Sequence, residues 1–365
     1  MKIPFVDLKA NYLSIKTEVD AAIMKVLDET AFIKGADLDI FEKNWALMSG
    51  AEYCVGISNG TTSLELILKA LGVGNGDEVI LPSHTFIATA EAVVNCGAKP
   101  VFVDSHDHTT LIDANEVEKA ITAKTKAVII VDLYGQPADY DAVKTAVGDR
   151  NIEIIQDAAQ SHLALYKNKV TGSYSRVTSF SFYPGKNMGA YGDAGAVVTN
   201  DKELYTKIKM MSDHGRITKY EHQISGTNAR MDNLQAAVLN VKMKYVSEWN
   251  EKRRTVAARY KNALENYLSF VEEEPFVKSV YHLLVVRTLF RKDMIKFLGE
   301  HGIATGIHYP IPLHLQPAYK HLGYSYGDLP RCERIAEEII SLPVFPEMTD
   351  AQIDFVVQTV KEYVK

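Results

Sequence analysis

The strongest constraint on the fold is an alternation of β-rich runs and helical patterns over the first two-thirds of the chain. Each of the first four runs is followed by a segment whose apolar residues recur at helical spacing. This order is typical of βα units, in which helices cover a sheet of parallel strands. The sequence therefore predicts an α/β fold with a large, mostly parallel sheet. The five β-rich runs are "EYCVGIS", "DEVILP", "KPVFVD", "KAVIIVDLY" and "IEIIQDA".

A long helical pattern ends this alternation. It runs from Asp232 to about Glu265, and we interpret it as one connecting helix into a second domain. We therefore expect a large domain at residues 1–240 and a smaller C-terminal domain, which includes the connecting helix, at residues 241–365. The smaller domain is predicted to be an α/β unit with a strand in "SVYHLLVVRT", a helix in "RKDMIKFLGEH", and closing helices in "RCERIAEEII" and "DAQIDFVVQTVKEYV".

Composition and charge exclude several classes of protein. The 365 residues are 47% hydrophobic and 24% charged, as in ordinary globular proteins. The net charge of −6, without a basic cluster, argues against nucleic acid as a partner. Three scattered cysteines suit a reducing, cytoplasmic setting better than a disulfide framework. Because the chain has neither an apolar signal region nor a long uncharged apolar run, we expect no secretion and no membrane partner.

Two predicted strands end in residues that can bind a ligand, and open α/β sheets bind ligands at these ends. After "CVGIS", Asn59 to Thr62 begin a helix whose free N–H groups and hydroxyls suit a phosphate, although an ordinary N-cap explains the short pattern equally well. After "IEIIQ", Asp157 stands at the end of a buried strand. A buried carboxylate needs a cation or several donors, so we expect a positive group close to Asp157.

Lys186, in "SFYPGKNMGAYGDAG", is a second residue with an unusual sequence context. It follows a Pro-Gly pair and precedes three closely spaced glycines, which indicates a backbone that bends sharply or approaches another group closely. Most lysines are solvated surface charges, and that is the ordinary alternative. The segment is not an ATP-binding P-loop, because Phe180 and Asn187 stand where that motif requires Gly and Ser or Thr.

Two other short motifs are better explained as turns. Residues 72–76, "GVGNG", follow a predicted helix and precede a predicted strand, which is the reverse of the order in a dinucleotide-binding unit. Residues 106–108, "HDH", are not completed by a cysteine or carboxylate pattern. We therefore expect neither a nicotinamide dinucleotide nor a metal.

Pyridoxal phosphate (PLP) requires the features found above: a lysine for a Schiff base, a carboxylate for the pyridine nitrogen and a cup for the phosphate. Asp157 in "QDAAQSH", Lys186 29 residues later, "NGTTSLEL" and "GTNARMDNLQAA" together resemble the DegT/StrS family of nucleotide-sugar aminotransferases. The resemblance extends from "IPFVDLK" to "LPVFPEMTD", nearly the whole chain. It implies the aspartate-aminotransferase-like, type I PLP fold.

The resemblance also implies roles for individual residues. Lys186 would carry the cofactor and then move a proton, and Asp157 would pair with the pyridinium nitrogen. Asn228 would reach the phosphate of a neighbouring subunit, which implies a homodimer with shared active sites. The remaining cofactor residues implied are Gly60, Thr61, Thr62 and Ser181 at the phosphate, Phe86 on the ring face, and Gln160 near the ring hydroxyl.

Some of these residues also have ordinary structural explanations. Phe86 can be a core aromatic, and Ser181 can be a strand hydroxyl bonded to the backbone. His84 and His162 can be structural histidines as readily as ligand contacts. For Lys186 and Asp157, the whole family pattern around them favours the catalytic explanation.

The loop "GIHYPIPLHLQPAY", residues 306–319, carries the candidate substrate residues His308, Tyr309 and His314 among prolines that stiffen it, although a rigid surface connection is the plain alternative. It resembles family members that aminate 3-keto sugars. The predicted reaction moves an amino group from an amino acid, with L-glutamate expected, to a dTDP-3-keto-6-deoxyhexose or a UDP-3-keto-2-acetamido sugar. Such products enter amino-sugar and surface-polysaccharide synthesis, including lipopolysaccharide and O-antigen.

Three alternatives stay open at this point. A 4-keto nucleotide sugar can be the acceptor, or the chain can be a non-catalytic regulatory protein on the same fold. A PLP enzyme that acts on free amino acids is the third. Such enzymes usually offer an arginine to the substrate α-carboxylate, and Arg216 or Arg230 are the candidates for that position.

Overall fold

A seven-stranded sheet forms the centre of the computed structural model, which describes residues 1–364. Its strand order is β1-β9-β8-β5-β4-β2-β3. Only β9 in this sheet runs antiparallel to its neighbours, β1 and β8. The predicted mostly parallel α/β sheet is therefore confirmed. The strands are β1 (Tyr53–Ile57), β2 (Glu78–Pro82), β3 (Lys99–Val103), β4 (Thr125–Val131), β5 (Glu153–Asp157), β8 (Val177–Ser181) and β9 (Gly195–Thr199), with the short β6 (Leu165–Tyr166) and β7 (Lys169–Val170) outside this sheet.

Helices cover this sheet, so its central strands are buried along almost their whole length. All five residues of β2 are buried, and so are six of the seven in β4. Strands buried on both faces need no alternation of polar and apolar residues. The covering helices and their neighbours are α1 (Leu8–Glu29), α2 (Ala36–Met48), α3 (Gly60–Ala70), α4 (Ala88–Asn95), α5 (Ala114–Ala120), α6 (Tyr140–Val147), α7 (Lys202–Met211) and α8 (Asn233–Lys242).

The C-terminal part builds a second, antiparallel sheet of three strands in the order β10-β12-β13. A separate apolar core lies between this sheet and its helices, and Ile3 from the N-terminus joins that core. A third small sheet has the order β11-β6-β7, in which β6 pairs with both of the other strands. The elements are α9 (Val246–Leu264), β10 (Ser269–Phe270), β11 (Val277–Lys278), β12 (Leu284–Arg287), α10 (Arg291–Glu300), α11 (Pro330–Glu338), β13 (Ile339–Leu342) and α12 (Asp350–Tyr363).

The predicted single connecting helix is wrong. The chain makes two helices, α8 and α9, with a break at residues 243–245. The two helices pack against different partners: α8 contacts α1 and α2, whereas α9 contacts α12. No proline or glycine marks this break in the sequence.

Two other boundaries differ from the sequence prediction. The strand in "SVYHLLVVRT" is limited to β12, and the closing helix in "RCERIAEEII" ends at Glu338. Ile339 and Ile340 then pair with Arg287 and Val286 of β12. β-Branched side chains pack well on a sheet surface, which accounts for the change from helix to strand at this point.

The N-terminal helices α1 and α2 are additions to the sequence prediction. The alternation of strands and helices predicts no element before residue 53, yet both helices lie there.

The division of the chain into two domains at residue 240 stays a prediction. The last residue of the smaller predicted domain, 365, is outside the described residues. No helix within residues 1–364 combines the length and apolarity needed to cross a bilayer.

Candidate active site

A cavity of about 680 Å³ opens at the carboxyl ends of the parallel strands. β4, β5 and β8 contribute their last residues to it, as expected for an open α/β sheet. The C-terminal part supplies the opposite wall. The structure thus brings ten of the sequence-predicted residues to one cavity: Gly60, Thr61, Thr62, Phe86, Asp157, Gln160, Ser181, Lys186, His308 and Tyr309.

Asp157 is the last residue of β5, and its carboxylate is buried. Oδ2 accepts a hydrogen bond from Thr89 Oγ1 at 3.0 Å, and Oδ1 accepts one from the Ala159 N–H at 3.2 Å. Burial raises the pKa of this carboxyl, while Ala159, Thr89 and the charge of Lys186 lower it. Because Asp157 also lines the cavity, its remaining acceptor capacity is available to a protonated ring nitrogen.

Lys186 lies in a turn that follows β8. Its own N–H donates to the Tyr183 carbonyl at 2.8 Å, and its side chain lines the cavity. Burial lowers the pKa of the amine to about 8, and the charge of Asp157 opposes that effect. A depressed pKa makes the neutral, nucleophilic amine accessible near neutral pH, which is what Schiff-base chemistry requires.

The close backbone approach predicted from the glycines around Lys186 is confirmed at two positions. A Cβ atom on Gly189 would lie 2.3 Å from the Pro184 carbonyl oxygen, and one on Gly195 would lie 2.5 Å from the Asn59 carbonyl carbon. Neither contact is sterically possible, so both positions require glycine. The second contact also brings β9 against the start of α3.

His162 bonds to both sides of the Lys186 turn. Its Nε2 lies 3.0 Å from the Ser181 carbonyl oxygen, and its Nδ1 lies 3.2 Å from the Met188 amide nitrogen. Since the carbonyl accepts and the amide donates, the proton must sit on Nε2 and Nδ1 must be the acceptor. Burial, reinforced by the charge of Lys186, lowers the pKa of His162 to about 3. The ring is therefore a neutral brace, and the structural explanation is correct for it.

His84 is also a structural histidine. Its ring is buried, with Nε2 2.7 Å from the Tyr134 hydroxyl, and burial lowers its pKa to about 3. The Tyr134 hydroxyl in turn donates to the His308 carbonyl. His84 thus supports the loop that carries His308 and Tyr309.

The start of α3 forms a cup. Asn59 caps the helix, with Oδ1 accepting from the Thr62 N–H at 2.8 Å, which leaves the N–H groups of Gly60 and Thr61 without helical acceptors. A Cβ on Gly60 would lie 2.7 Å from Ser181 Cβ, so the glycine lets the β8 hydroxyl stand directly beside the helix start. The N-cap explanation and the phosphate explanation are therefore compatible. The cup, Lys186 and Asp157 together fit PLP.

Phe86 and Gln160 complete this part of the cavity. The Phe86 side chain is 52% exposed, which excludes the core explanation for it. Its ring centroid lies 5.5 Å from that of Tyr309. Gln160 is fixed by the Tyr134 N–H, which donates to Oε1 at 2.7 Å, and its Nε2 donates to the Tyr309 hydroxyl at 3.3 Å.

Two predicted residues do not line this cavity. His314 is buried between Ser83 Oγ, 2.7 Å from Nδ1, and Glu333 Oε1, 3.0 Å from Nε2. Its side chain is committed to this internal pair and is not placed to contact a substrate, contrary to the expectation from the loop. Asn228 is exposed, which leaves its contact with a neighbouring subunit a prediction.

The two arginines considered for a substrate carboxylate have an internal partner. Arg216 Nε donates to Asp213 Oδ2 at 2.8 Å, and Arg230 Nη1 donates to Oδ1 at 2.5 Å. Asp213 also accepts from Lys34. Both arginines lie outside the cavity lining.

The cavity also contains residues that the sequence did not predict, among them Thr89, Arg253 and His282. A signal existed for Arg253. On α9 it falls on the stripe of buried residues that includes Trp249, Val256 and Tyr260, where a charge is out of place. Thr89 and His282 carry no such local signal.

The fold and the site define a PLP-dependent aminotransferase. The chain belongs to the DegT/DnrJ/EryC1/StrS aminotransferase family, whose sequence model matches residues 13–361. When bound, PLP supplies an electron sink for charge that develops on a substrate carbon. The family resemblance stated from the sequence is thereby confirmed.

Two relatives show how far the similarity extends. The dTDP-3-amino-3,4,6-trideoxy-alpha-D-glucose transaminase of Streptomyces venezuelae is 42% identical over 364 residues, which cover 99% of this chain and 96% of that protein. The UDP-2-acetamido-2-deoxy-3-oxo-D-glucuronate aminotransferase of Pseudomonas aeruginosa is 41% identical over 357 residues, with 97% and 98% covered.

Solved structures agree with these relatives. A crystal structure of DesV from S. venezuelae matches with a TM-score of 0.98 at 42% identity and covers 100% of this chain and 99% of DesV. NtdA from Bacillus subtilis, solved with bound cofactor PMP, matches with a TM-score of 0.91 at 32% identity and covers 100% of this chain and 85% of NtdA. The predicted fold and cofactor are confirmed.

Proposed function

We propose that this chain transfers an amino group from L-glutamate to C3 of a 3-keto sugar linked to dTDP or UDP. The observation that carries the proposal is that Lys186 and the buried Asp157 line the same cavity and that the Asp157 charge acts on the Lys186 amine, an arrangement that suits amino transfer. This arrangement disfavours a purely regulatory role, because a protein without catalytic activity does not require a reactive amine and a buried carboxylate at one cavity.

The chain's own residues have separable tasks in this reaction. The cup at the start of α3 holds the phosphate, and Asp157 keeps the ring nitrogen protonated. Lys186, released when the donor amine takes its place, accepts and returns the proton at the substrate carbon. The neutral His162 keeps the turn that carries Lys186 in position.

The choice of C3 rests on the relatives together with the cavity. The S. venezuelae relative is named for a 3-amino product and the P. aeruginosa relative for a 3-oxo substrate, on dTDP and UDP sugars respectively. His308 and Tyr309 line the same cavity as Lys186, where they can orient a sugar ring. The reacting carbonyl must lie next to Lys186, so these side chains select which carbon is presented.

A homodimer with shared active sites is part of the proposal. Asn228 is exposed and lies outside the cavity of its own chain, and it forms a β-bridge with Asp213. We propose that it completes the phosphate cup of a second copy, as the family resemblance implies. Sedimentation combined with cofactor release on dilution tests this, and a monomer that keeps both cofactor and activity would contradict it.

The decisive experiment compares three acceptors. The enzyme is incubated with glutamate and, in separate reactions, a 3-keto nucleotide sugar, the matched 4-keto nucleotide sugar or free 2-oxo acids, and NMR locates the new amine. We expect amination at C3. Efficient amination at C4 and none at C3 would establish the 4-keto alternative, and conversion of free 2-oxo acids alone would establish the amino-acid enzyme.

A further inference from the structure

Arg253 is a buried cation without a carboxylate partner among residues 1–364. Its side chain sits on α9 and the residue is only 4% exposed. Nη1 donates to the carbonyls of Tyr281, His282 and Val344 at 3.2, 3.4 and 2.8 Å, whereas Nε is buried and has no acceptor. A buried charge of this kind is costly unless an anion joins it.

The side chains around Arg253 do not neutralise its charge. Glu347 attracts its charge but forms no ion pair with it, and Glu347 Oε1 accepts instead from Asn11 Nδ2 at 2.8 Å. Burial lowers the pKa of Arg253 to about 10, so the guanidinium stays charged at neutral pH. The neighbouring imidazoles of His282 and His308 add no positive charge, because burial and the charge of Lys186 lower their pKa values, and a neutral imidazole cannot neutralise a guanidinium.

Arg253 and Lys186 line the same cavities. Both residues line the main cavity, and both also line a small second cavity. The charges of both residues act on His282, which also lines the main cavity. An anion that pairs with Arg253 from the main cavity therefore shares that cavity with the amine that the amino donor must replace.

We propose that Arg253 binds the α-carboxylate of the amino donor. The α-carboxylate is two bonds from the donor nitrogen, so it must enter the cavity close to Lys186 whenever that nitrogen replaces the lysine amine. A guanidinium with free N–H donors matches a carboxylate in charge and geometry. The inference rests on the proposed function only in taking an amino acid as donor, and it is independent of the sugar.

Two other assignments for the arginine are less suitable. The cofactor phosphate has its own donors at the start of α3, so it does not need Arg253. The three carbonyl contacts tie together the segments around residues 281 and 344, but they use only Nη1. These three contacts therefore do not explain why the Nε donor of Arg253 is buried without an acceptor.

The test uses the first half-reaction, in which glutamate converts the pyridoxal form of the holoenzyme to the pyridoxamine form. We expect R253Q to raise the apparent Kd of glutamate about 10- to 100-fold, the effect of losing charge-assisted hydrogen bonds. The matched control is R254Q, because Arg254 is the next residue on α9, pairs with Glu251 and lies outside the cavity. R254Q should bind glutamate like the wild type. Equal glutamate affinity in R253Q would overturn the proposal.

Donor analogues separate carboxylate binding from general damage. 4-Aminobutyrate lacks the α-carboxylate, so R253Q should leave the rate of its slow reaction unchanged. L-Alanine keeps that group, so R253Q should weaken its binding as it weakens the binding of glutamate. The reaction of the pyridoxamine form with sugar should keep its KM in R253Q. If R253Q weakens the binding of 4-aminobutyrate and of the sugar as much as the binding of glutamate, Arg253 has only a structural role and the proposal fails.

A wild-type measurement covers the case in which R253Q does not fold. 2-Methyl-L-glutamate has the amine and both carboxylates but no α-hydrogen, so it stays bound without transferring its amine. A crystal structure of the holoenzyme with it should show the α-carboxylate within hydrogen-bond distance of Arg253, and an α-carboxylate held elsewhere would overturn the proposal. Apart from the KM control, these experiments use no sugar. Arg253-dependent glutamate binding without sugar amination would therefore reject the proposed acceptor and keep this inference.

Discussion

The seven-stranded sheet and the C-terminal part each supply one wall of the cavity, and they hold their polar groups differently. We call Asp157, Ser181, Lys186 and the start of α3 the sheet wall, and Arg253, His282, His308 and Tyr309 the C-terminal wall. On the sheet wall, Asp157 already has two hydrogen-bond donors and His162 braces the Lys186 turn. On the C-terminal wall, Arg253 has a buried donor without an acceptor.

This difference follows from how each wall is assembled. The residues of the sheet wall stand at or just after strand ends, so the sheet itself fixes their relative positions. The C-terminal wall collects side chains from α9, from the segment before β12 and from the 306–319 loop. We infer that the sheet wall is preformed for the cofactor, whereas the C-terminal wall is completed by substrate.

The largest expected effect is the loss of the Lys186 amine. Replacing it in K186A should slow the glutamate half-reaction by at least about 10³-fold, because the proton carrier is gone. Stopped-flow absorbance of the bound cofactor measures this. The matched control is K242M. Lys242 is also buried with a pKa lowered to about 8 by burial, but it lies outside the main cavity and donates to the Gly189 carbonyl.

K242M should lower thermal stability and keep the half-reaction within about tenfold of the wild type. A K242M loss as large as that of K186A would show that any buried lysine near this turn matters equally. Lys186 on the sheet wall would then not differ in its effect from Lys242, which only supports the turn from outside the main cavity.

The second prediction concerns the charge of Asp157. The carboxylate raises the pKa of Lys186 against the larger lowering effect of burial, so D157N should move that pKa below about 8 in the cofactor-free protein. The pH dependence of Lys186 labelling by an amine-specific reagent measures the shift. With cofactor bound, D157N should slow the glutamate half-reaction about 10²-fold, since the ring nitrogen loses its counter-ion. An unshifted labelling profile would contradict the close coupling of the pair.

The two walls also differ in how far sequence could predict them. Lys186 and Asp157 were predicted because a strand end and glycine spacing are local signals, and because the family pattern around both residues favours a catalytic role. Arg253 interrupts the buried stripe of α9, but that stripe alone does not tell which cavity the side chain lines. The cavity depends on where α9 packs after the helix break at residues 243–245, which no Pro or Gly in the sequence marks. His314 was misassigned because a loop motif does not tell which of its side chains turns inward towards Glu333.

The third prediction tests the brace beneath the sheet wall. His162 has a folded-state pKa of about 3 against an ordinary value near 6.5, so the unfolded chain binds more protons between these values. Its stabilising contribution is complete above about pH 6.5 and is lost as the pH falls towards 3. Between pH 6.5 and 5 this one group should cost about 2 kcal/mol of unfolding free energy.

H162Q should therefore be less stable than the wild type at pH 7.5, by about 1–3 kcal/mol for the lost hydrogen bonds, and should show a shallower loss of stability with acid. Denaturant unfolding at several pH values measures both. H106Q is the control, because His106 is exposed. An acid slope unchanged in H162Q would mean that His84 and other buried groups carry the whole effect.

The smallest expected effect distinguishes two residues of the same loop, Tyr309 and His314. The Tyr309 hydroxyl lies in the cavity and accepts one long hydrogen bond from Gln160, so Y309F keeps the ring and removes a single polar group. If that hydroxyl contacts the sugar, Y309F should raise KM for the acceptor about 2- to 10-fold and leave the glutamate half-reaction unchanged. H314N removes a buried partner of Glu333 instead, so it should lower stability and affect both half-reactions alike. Steady-state kinetics with each substrate varied in turn separates the two patterns.

A selective acceptor defect in H314N, with none in Y309F, would contradict the assignment of Tyr309 to the cavity and His314 to the interior. It would mean that the 306–319 loop adopts another conformation when substrate completes the C-terminal wall.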